Sequence, residues 1–255
     1  MSDSTPWIAA IRESHQQLAA ALTPLDGAQV ETESYDDGWS IAQVASHLGS
    51  QAEIFDLALT AGLSGSAAPE MVQFREIWDR WDTTEPVEQV RRSLSVDDAL
   101  VSRFEQLTTA DQEKFRVQLF GSDLNLVDLL GMRLGEHVVH TWDIAVALDP
   151  SATLSVPAVE LLIDTMPERV ARLGKATETG DDIAIDTQAP DREYTLTTSP
   201  EVTLTAGGAR TGQPLTLPAE ALIRLFYGRL DAEHTPASVA GDERLGALRS
   251  AFPGI

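Results

Sequence analysis

The first 150 residues hold four long stretches in which apolar side chains return every three or four positions. That period constrains the fold more than any other feature of the chain. Thr5-Pro6 reads as a helix N-cap with proline at the first helical position. Ile8, Ile11, His15, Leu18 and Leu22 follow at spacings of 3, 4, 3 and 4, an amphipathic stripe with a histidine on its apolar side. Ser40-Ile41-Ala42-Gln43 has the form of a capping box opening a helix to about residue 61. Thr84-Glu85-Pro86 starts a third helix, with Val87, Val90, Leu94, Leu100, Val101, Phe104 and Leu107 as its apolar positions. A fourth is expected from about Leu124 to Leu148, ending before Asp149-Pro150. Residues 70–82 predict a shorter helix carrying Trp78 and Trp81. Residues 26–38 read as a loop and Phe115 to Phe120 as an extended link. Four long helices in this length of chain predict an antiparallel four-helix bundle over residues 1–151.

The pattern changes after Pro150. Val156 to Leu173 is helical in period. Three β-prone segments follow: Ile183 to Asp186, Tyr194 to Thr197 and Val202 to Thr205. Gly207-Gly208 predicts a turn, Pro218 to Gly228 a helix, Ala237 to Ala240 a strand and Asp242 to Phe252 a last helix. Residues 152–255 therefore predict a small α/β domain, and the fold class expected for the whole chain is α+β.

The four stretches bring three metal-binding side chains within reach of one another. His47 lies two turns into the second helix. Glu136 and His140 are four apart on the fourth, so they share a face one turn apart. Two imidazoles and a carboxylate match the ligand set of a catalytic zinc site with an open fourth position. The alternative is a surface Glu–His pair and an unrelated core histidine. Asp143, on nearly the same face, either accepts a hydrogen bond within the site or is a helix-surface aspartate. Arg133 is expected to pair with Glu136 along the helix. His137 points about 100° away from Glu136, which favours His140 as the ligand. His15 is either a hydrogen-bonded core histidine or a neighbour of the metal.

Composition removes several function classes. There is no cysteine, so a thiol reaction needs a small-molecule thiol, and a metal must use His, Asp, Glu or water. The net charge of −22 disfavours nucleic acid and anionic membranes as partners. No apolar run nears the roughly 20 residues of a membrane span, and Met-Ser-Asp-Ser-Thr-Pro lacks a secretory pattern, so a cytoplasmic location is expected. His-Glu-x-x-His, Gly-x-Ser-x-Gly and the glycine-rich phosphate and dinucleotide motifs are absent.

Gly38-Trp39 with His47 eight residues after the tryptophan, then Arg133-x-x-Glu136-x-x-x-His140-x-x-Asp143, is similar to the mycothiol-dependent maleylpyruvate isomerase family. That family belongs to the DinB-like metalloenzyme superfamily. Leu225-Phe226-Tyr227-Gly228-Arg229 followed by Ala240-Gly241-Asp242 extends the resemblance into the C-terminal domain. The resemblance implies a DinB-like bundle, zinc on His47, Glu136 and His140, and mycothiol as thiol cosubstrate. It also implies that Arg229 holds a substrate carboxylate; the residues alone equally fit a cation at a helix C-terminus. The expected reaction is cis–trans isomerisation of a maleylpyruvate-like acid or S-transfer to a small electrophile, with His15 as a proton shuttle if it faces the pocket. The alternatives are a zinc-hydroxide hydrolase and a non-catalytic metal-dependent binding protein. The expected partners are a small carboxylic acid or other electrophile and a low-molecular-weight thiol, and the expected state is a monomer or homodimer.

Overall fold

Helix-start chemistry and helical apolar periods organise the first part of the chain, and a sheet organises the second. In a computed structural model, residues 3–119, 121–178, 180, 182–208 and 212–254 are described. The chain divides into two compact units, Met1–Thr153 and Leu154–Ile255.

The first unit opens with α1 (Thr5–Leu22), which buries Ile8, Ile11, His15, Leu18 and Leu22 on one face. Its N-cap is Ser4, one residue before Thr5, and Ser4 Oγ donates to Gln112 rather than capping the helix. The expected loop 26–38 contains a single turn, α2 (Gly27–Val30), closed by an Asp26–Gln29 capping box. Helix α3 (Ile41–Ser64) starts on the capping box read from the sequence. Gln43 N donates to Ser40 Oγ at 3.2 Å, and Ser40 N donates to Gln43 Oε1 at 2.9 Å. It ends at Gly65, whose φ of 67° is the left-handed conformation that glycine tolerates at a helix terminus.

Helix α4 (Met71–Asp82) lies against α3 because Gly49 leaves room for the Trp81 ring; a Cβ there would meet the indole at 2.3 Å. Helix α5 (Pro86–Glu105) and the short α6 (Thr109–Lys114) follow. The extended segment expected over Phe115 to Phe120 contains β1 (Val117–Leu119), which also pairs antiparallel with β2 (Ser122–Leu124); Phe120 lies outside the described residues. Helix α7 (Leu126–Leu148) begins on an Asn125–Asp128 capping box. Among the described residues, α1 packs on α7 and α5, and α3 packs on α5 and α7. Leu18, Leu22, Ile41, Val44, Leu48, Val90 and Ile144 form one core cluster between them.

The second unit starts with α8 (Val156–Leu162) and α9 (Met166–Leu173), joined by one 3₁₀ turn. Strands β3 (Ile183–Gln188), β4 (Arg192–Thr197), β5 (Thr203–Ala206) and β6 (Leu215–Pro218) form a sheet in the order β5-β4-β3-β6. The β3–β4 and β4–β5 pairs are antiparallel, and β3–β6 is parallel. Strand β6 had no sequence signal. It is four residues long and ends in Pro218, which lacks an N–H and is tolerated because β6 is an edge.

Helix α10 (Ala219–Phe226) packs on β3 and β6, and α11 (Leu245–Ala251) closes the unit. The strand expected over Ala237 to Ala240 is a turn. Val239 N and Ala240 N both donate to Pro236 O, so these amides are satisfied locally and no ladder forms. Among the described residues, no helix is long and apolar enough to cross a membrane.

Candidate metal centre

Helix α3 presents His47, and helix α7 presents Glu136 and His140 one turn apart. His47 Nε2 lies 3.8 Å from Glu136 Oε2, and His140 Nε2 lies 3.9 Å from the same oxygen. All three ligand atoms fall within 4.8 Å of one another. The two imidazole rings meet edge to face at 4.6 Å, and Trp39 flanks His47 at 5.5 Å. A tetrahedral zinc ion with bonds of about 2.0–2.1 Å sets its ligand atoms about 3.4 Å apart, so each imidazole nitrogen lies within about half an ångström of the separation from Glu136 Oε2 that such an ion requires.

The chemistry of the donors fits a cation. Burial works against ionisation of Glu136. The neighbouring His47, the electrostatic influence of His140 and the Gln51 donor outweigh it and hold the carboxyl down to about 2. Burial, with His140 and Arg133 nearby, lowers the pKa of His47 despite Glu136, which favours the neutral imidazole a metal needs. His140 Nδ1 lies 2.9 Å from Oδ2 of the fully buried Asp143. That hydrogen bond takes one ring nitrogen and leaves Nε2 for a metal. Gln51 adds a test by substitution. Its amide nitrogen stands 2.9 Å from both His47 Nε2 and Glu136 Oε2, so one N–H₂ group is shared by two lone-pair donors. A positively polarised group already takes the place where two ligands would share a cation.

The other polar residues of α7 turn elsewhere. Arg133 does not pair with Glu136, as its spacing suggested. Its Nη2 donates to Asp97 Oδ1 at 2.7 Å and to Leu48 O at 3.3 Å, because the helix turns it toward a buried carboxylate on α5. His137 faces the same carboxylate, with Nε2 2.8 Å from Asp97 Oδ2. Its Nδ1 lies 2.7 Å from Ser14 Oγ and 3.2 Å from Thr141 Oγ1. Burial lowers the pKa of His137, so the ring is read as neutral, with Nε2–H donating to Asp97 and Nδ1 accepting from the hydroxyls. His15 Nδ1 is 2.7 Å from Asp97 Oδ2. Burial penalises the Asp97 charge, yet His137, Arg133 and His15 together hold its carboxyl well below the usual range.

Gln51 and Asp97 escaped the sequence reading, though each left a signal. Gln51 is four residues after His47, on the same face of α3. Asp97 interrupts an otherwise apolar helical series of Val90, Leu94, Val101 and Phe104.

A groove of about 510 Å³ between α3, α4 and α5 is lined by the other side of α3, including Glu53 and Asp56. Arg80 pairs with Glu53 and Arg103 with Asp56 along it, and its lining includes none of the three candidate ligands.

Arg229 belongs to the second unit. It is buried, follows Gly228 at a φ of 75°, and donates from Nη1 to Tyr227 O at 2.9 Å. Arg224 braces the same turn. It grips Glu220 through two hydrogen bonds and donates from Nη1 to the carbonyls of Arg229 and His234.

Comparisons with known proteins agree with the fold. Two crystal structures, of the mycothiol-dependent maleylpyruvate isomerase and of a histidine-to-alanine mutant of it, superpose with a TM-score of 0.65 each. They are 15% and 14% identical to this chain, and each match covers 90% of both chains. A "Putative metal-dependent hydrolase" of Geobacillus thermodenitrificans (strain NG80-2) is 48% identical over 46 residues, 18% of this chain and 26% of that protein. The chain thus spans about a quarter of the length of that curated relative. Residues 11–145, which include all three candidate ligands and the Asp97 network, match the family described as "Mycothiol maleylpyruvate isomerase N-terminal domain", and the chain belongs to that family.

Proposed function

We propose that this protein is a metal-dependent enzyme that binds zinc through His47, Glu136 and His140. It acts with a low-molecular-weight thiol, mycothiol, on a small carboxylic acid or other electrophile in the cytoplasm. One observation carries the reading: two imidazole nitrogens and a carboxylate oxygen converge with no fourth His, Asp or Glu in the group among the described residues. Three protein ligands and an open position are the arrangement of a catalytic rather than a structural zinc site. We also read α1, α3, α5 and α7 as an antiparallel bundle of the DinB-like superfamily.

Zinc, when bound, lowers the pKa of a coordinated thiol, so that a thiolate is available at neutral pH. The chain's own residues prepare for this. Asp143 orients His140, burial keeps His47 neutral, and the depressed pKa of Glu136 supplies a negative ligand. The absence of cysteine leaves the nucleophilic sulfur to the cosubstrate. With a maleyl-type acid, sulfur bonds to one alkene carbon, the former double bond rotates, and sulfur leaves as the trans alkene forms. The thiol is regenerated without oxidation or reduction. With another electrophile the new sulfur–carbon bond persists, as the electrophilic carbon releases its leaving group with the bonding pair or the neighbouring alkene carbon takes a proton, and the product is a thioether. Arg229 is the proposed holder of the substrate carboxylate, because its planar fork matches a carboxylate through two charge-assisted bonds. His15, hydrogen-bonded to Asp97, is the proposed proton relay.

The second reading, metal-assisted hydrolysis, is favoured by the description of the Geobacillus relative. Zinc content and turnover, measured with and without mycothiol, separate the two. Turnover of a maleylpyruvate-like acid that needs both zinc and thiol supports the first reading. Hydrolysis without thiol supports the second. Binding without turnover across a panel of acids and electrophiles would make the chain a binding protein. A His47→Ala, His140→Ala double variant that keeps its zinc would overturn the ligand assignment.

A further inference from the structure

We propose that Gln51 is a positioning residue of this centre, held by Arg133 and Asp97 so that its amide carbonyl faces away from the metal position. The inference rests on the metal-binding reading above. Gln51 lies one turn after His47 on α3. Its Nε2 is 2.9 Å from His47 Nε2 and 2.9 Å from Glu136 Oε2, while its Oε1 faces Arg133 Nη1 at 3.4 Å. The opposite orientation would set the carbonyl oxygen against the Glu136 carboxylate and the N–H₂ group against the guanidinium. Acceptor would meet acceptor and donor would meet donor, so the two charges fix which way the amide turns. Arg133 is itself pinned. It and Asp97 are fully buried and joined at 2.7 Å, and Leu48 O accepts a second bond from the same nitrogen.

The orientation matters because an amide oxygen can ligate a divalent cation, whereas its N–H₂ group cannot. A fourth protein ligand would close the zinc site and remove the position a thiol or substrate needs. By drawing the carbonyl toward itself, Arg133 keeps the protein ligand set at three. In the metal-free chain the amide nitrogen meanwhile donates to two of the ligands. It sits 2.9 Å from both Glu136 Oε2 and His47 Nε2, where a cation shared by the two would lie.

The test uses Gln51→Met, similar in length but without the amide, and Gln51→Glu, which offers a ligating oxygen whichever way it turns. Zinc affinity is measured by chelator competition, and melting temperature is measured with and without zinc. Gln51→Met should lower the melting temperature of the metal-free protein and leave that of the zinc form close to wild type. Its zinc affinity should stay within about threefold of wild type or become tighter. Gln51→Glu should bind zinc more tightly than wild type. A residue with only a packing role would lower both melting temperatures equally, and that result would overturn the proposal. A loss of zinc affinity of more than about threefold in Gln51→Met would show that the amide supports metal binding, directly or through a ligand, and would also overturn it. Equal zinc affinity of Gln51→Glu and wild type would do the same. If wild type binds zinc and Gln51→Met matches it in both forms, only this inference fails. If wild type takes up no zinc, the metal-centre reading fails with it.

Discussion

His140 Nδ1 and Asp143 Oδ2 lie 2.9 Å apart, within one turn of α7 and with the carboxylate fully buried. The pair fixes which imidazole nitrogen is left for a metal. Asp143→Ala should therefore weaken zinc binding about 10- to 100-fold, the usual effect of losing a carboxylate behind a metal-bound histidine. Chelator competition reads the affinity directly. An unchanged value would show that Asp143 serves packing alone.

The ligand pKa values set a pH window. His47 titrates below its ordinary value, because burial disfavours the imidazolium. Between the ordinary value of about 6.5 and the lower folded value, the unfolded chain binds more protons than the folded one. Stability of the metal-free protein should thus fall as pH drops through that window. Glu136, held down to about 2, acts in the same direction at lower pH: its contribution is complete above its ordinary value and is lost toward pH 2. Denaturant titrations of metal-free protein at successive pH values should show the decline, and His47→Ala should remove its upper part. A profile that is flat between neutral pH and pH 5 would contradict the assignment.

Asp97 carries the largest stability prediction. Asp97→Ala strands the buried guanidinium of Arg133 and leaves His15 and His137 without their shared acceptor. Breaking a buried pair in this way costs about 3–5 kcal/mol. Equilibrium denaturation gives the value, and a loss below about 1 kcal/mol would show that this buried network contributes no more than a surface ion pair.

Arg229→Ala separates substrate binding from metal binding. If the guanidinium holds a carboxylate, the variant should keep its zinc and raise KM for an acid substrate. Loss of a charge-assisted contact worth about 1.5–3 kcal/mol corresponds to roughly 10- to 150-fold. Steady-state kinetics alongside zinc analysis checks both halves. Unaltered KM, or loss of folding, would leave Arg229 as a brace for the turn it shares with Arg224.

The sequence made the long helices legible because their starts are written in local chemistry. Ser40 with Gln43 and Pro86 at a first helical position are read without knowing any neighbour. Spacing could not show that His47 meets Glu136 and His140 across two helices, and in the structure their candidate ligand atoms fall in one group. Arg133 was misread because spacing along one helix cannot reveal a buried carboxylate 36 residues away on another. Strand β6 was invisible for a related reason: its four residues gain their strand character by pairing with β3. The opposite error befell Ala237 to Ala240, where Pro236 gathers the following amides into a turn.

A single carboxylate, Asp97 on α5, touches His15 on α1 and both Arg133 and His137 on α7. Helices packed through mostly aliphatic interiors lose uniqueness of alignment before they lose stability, because apolar groups of similar volume can stand in for one another. Here a shift by one turn would leave at least one of these polar groups unsatisfied in a dry interior, and no aliphatic contact could compensate. The network thus works as a registration key, making the native alignment of three helices far more favourable than its neighbours. Arg133 also donates to Leu48 O on α3, the residue after His47, so the same guanidinium ties the helix of Glu136 and His140 to the helix of His47.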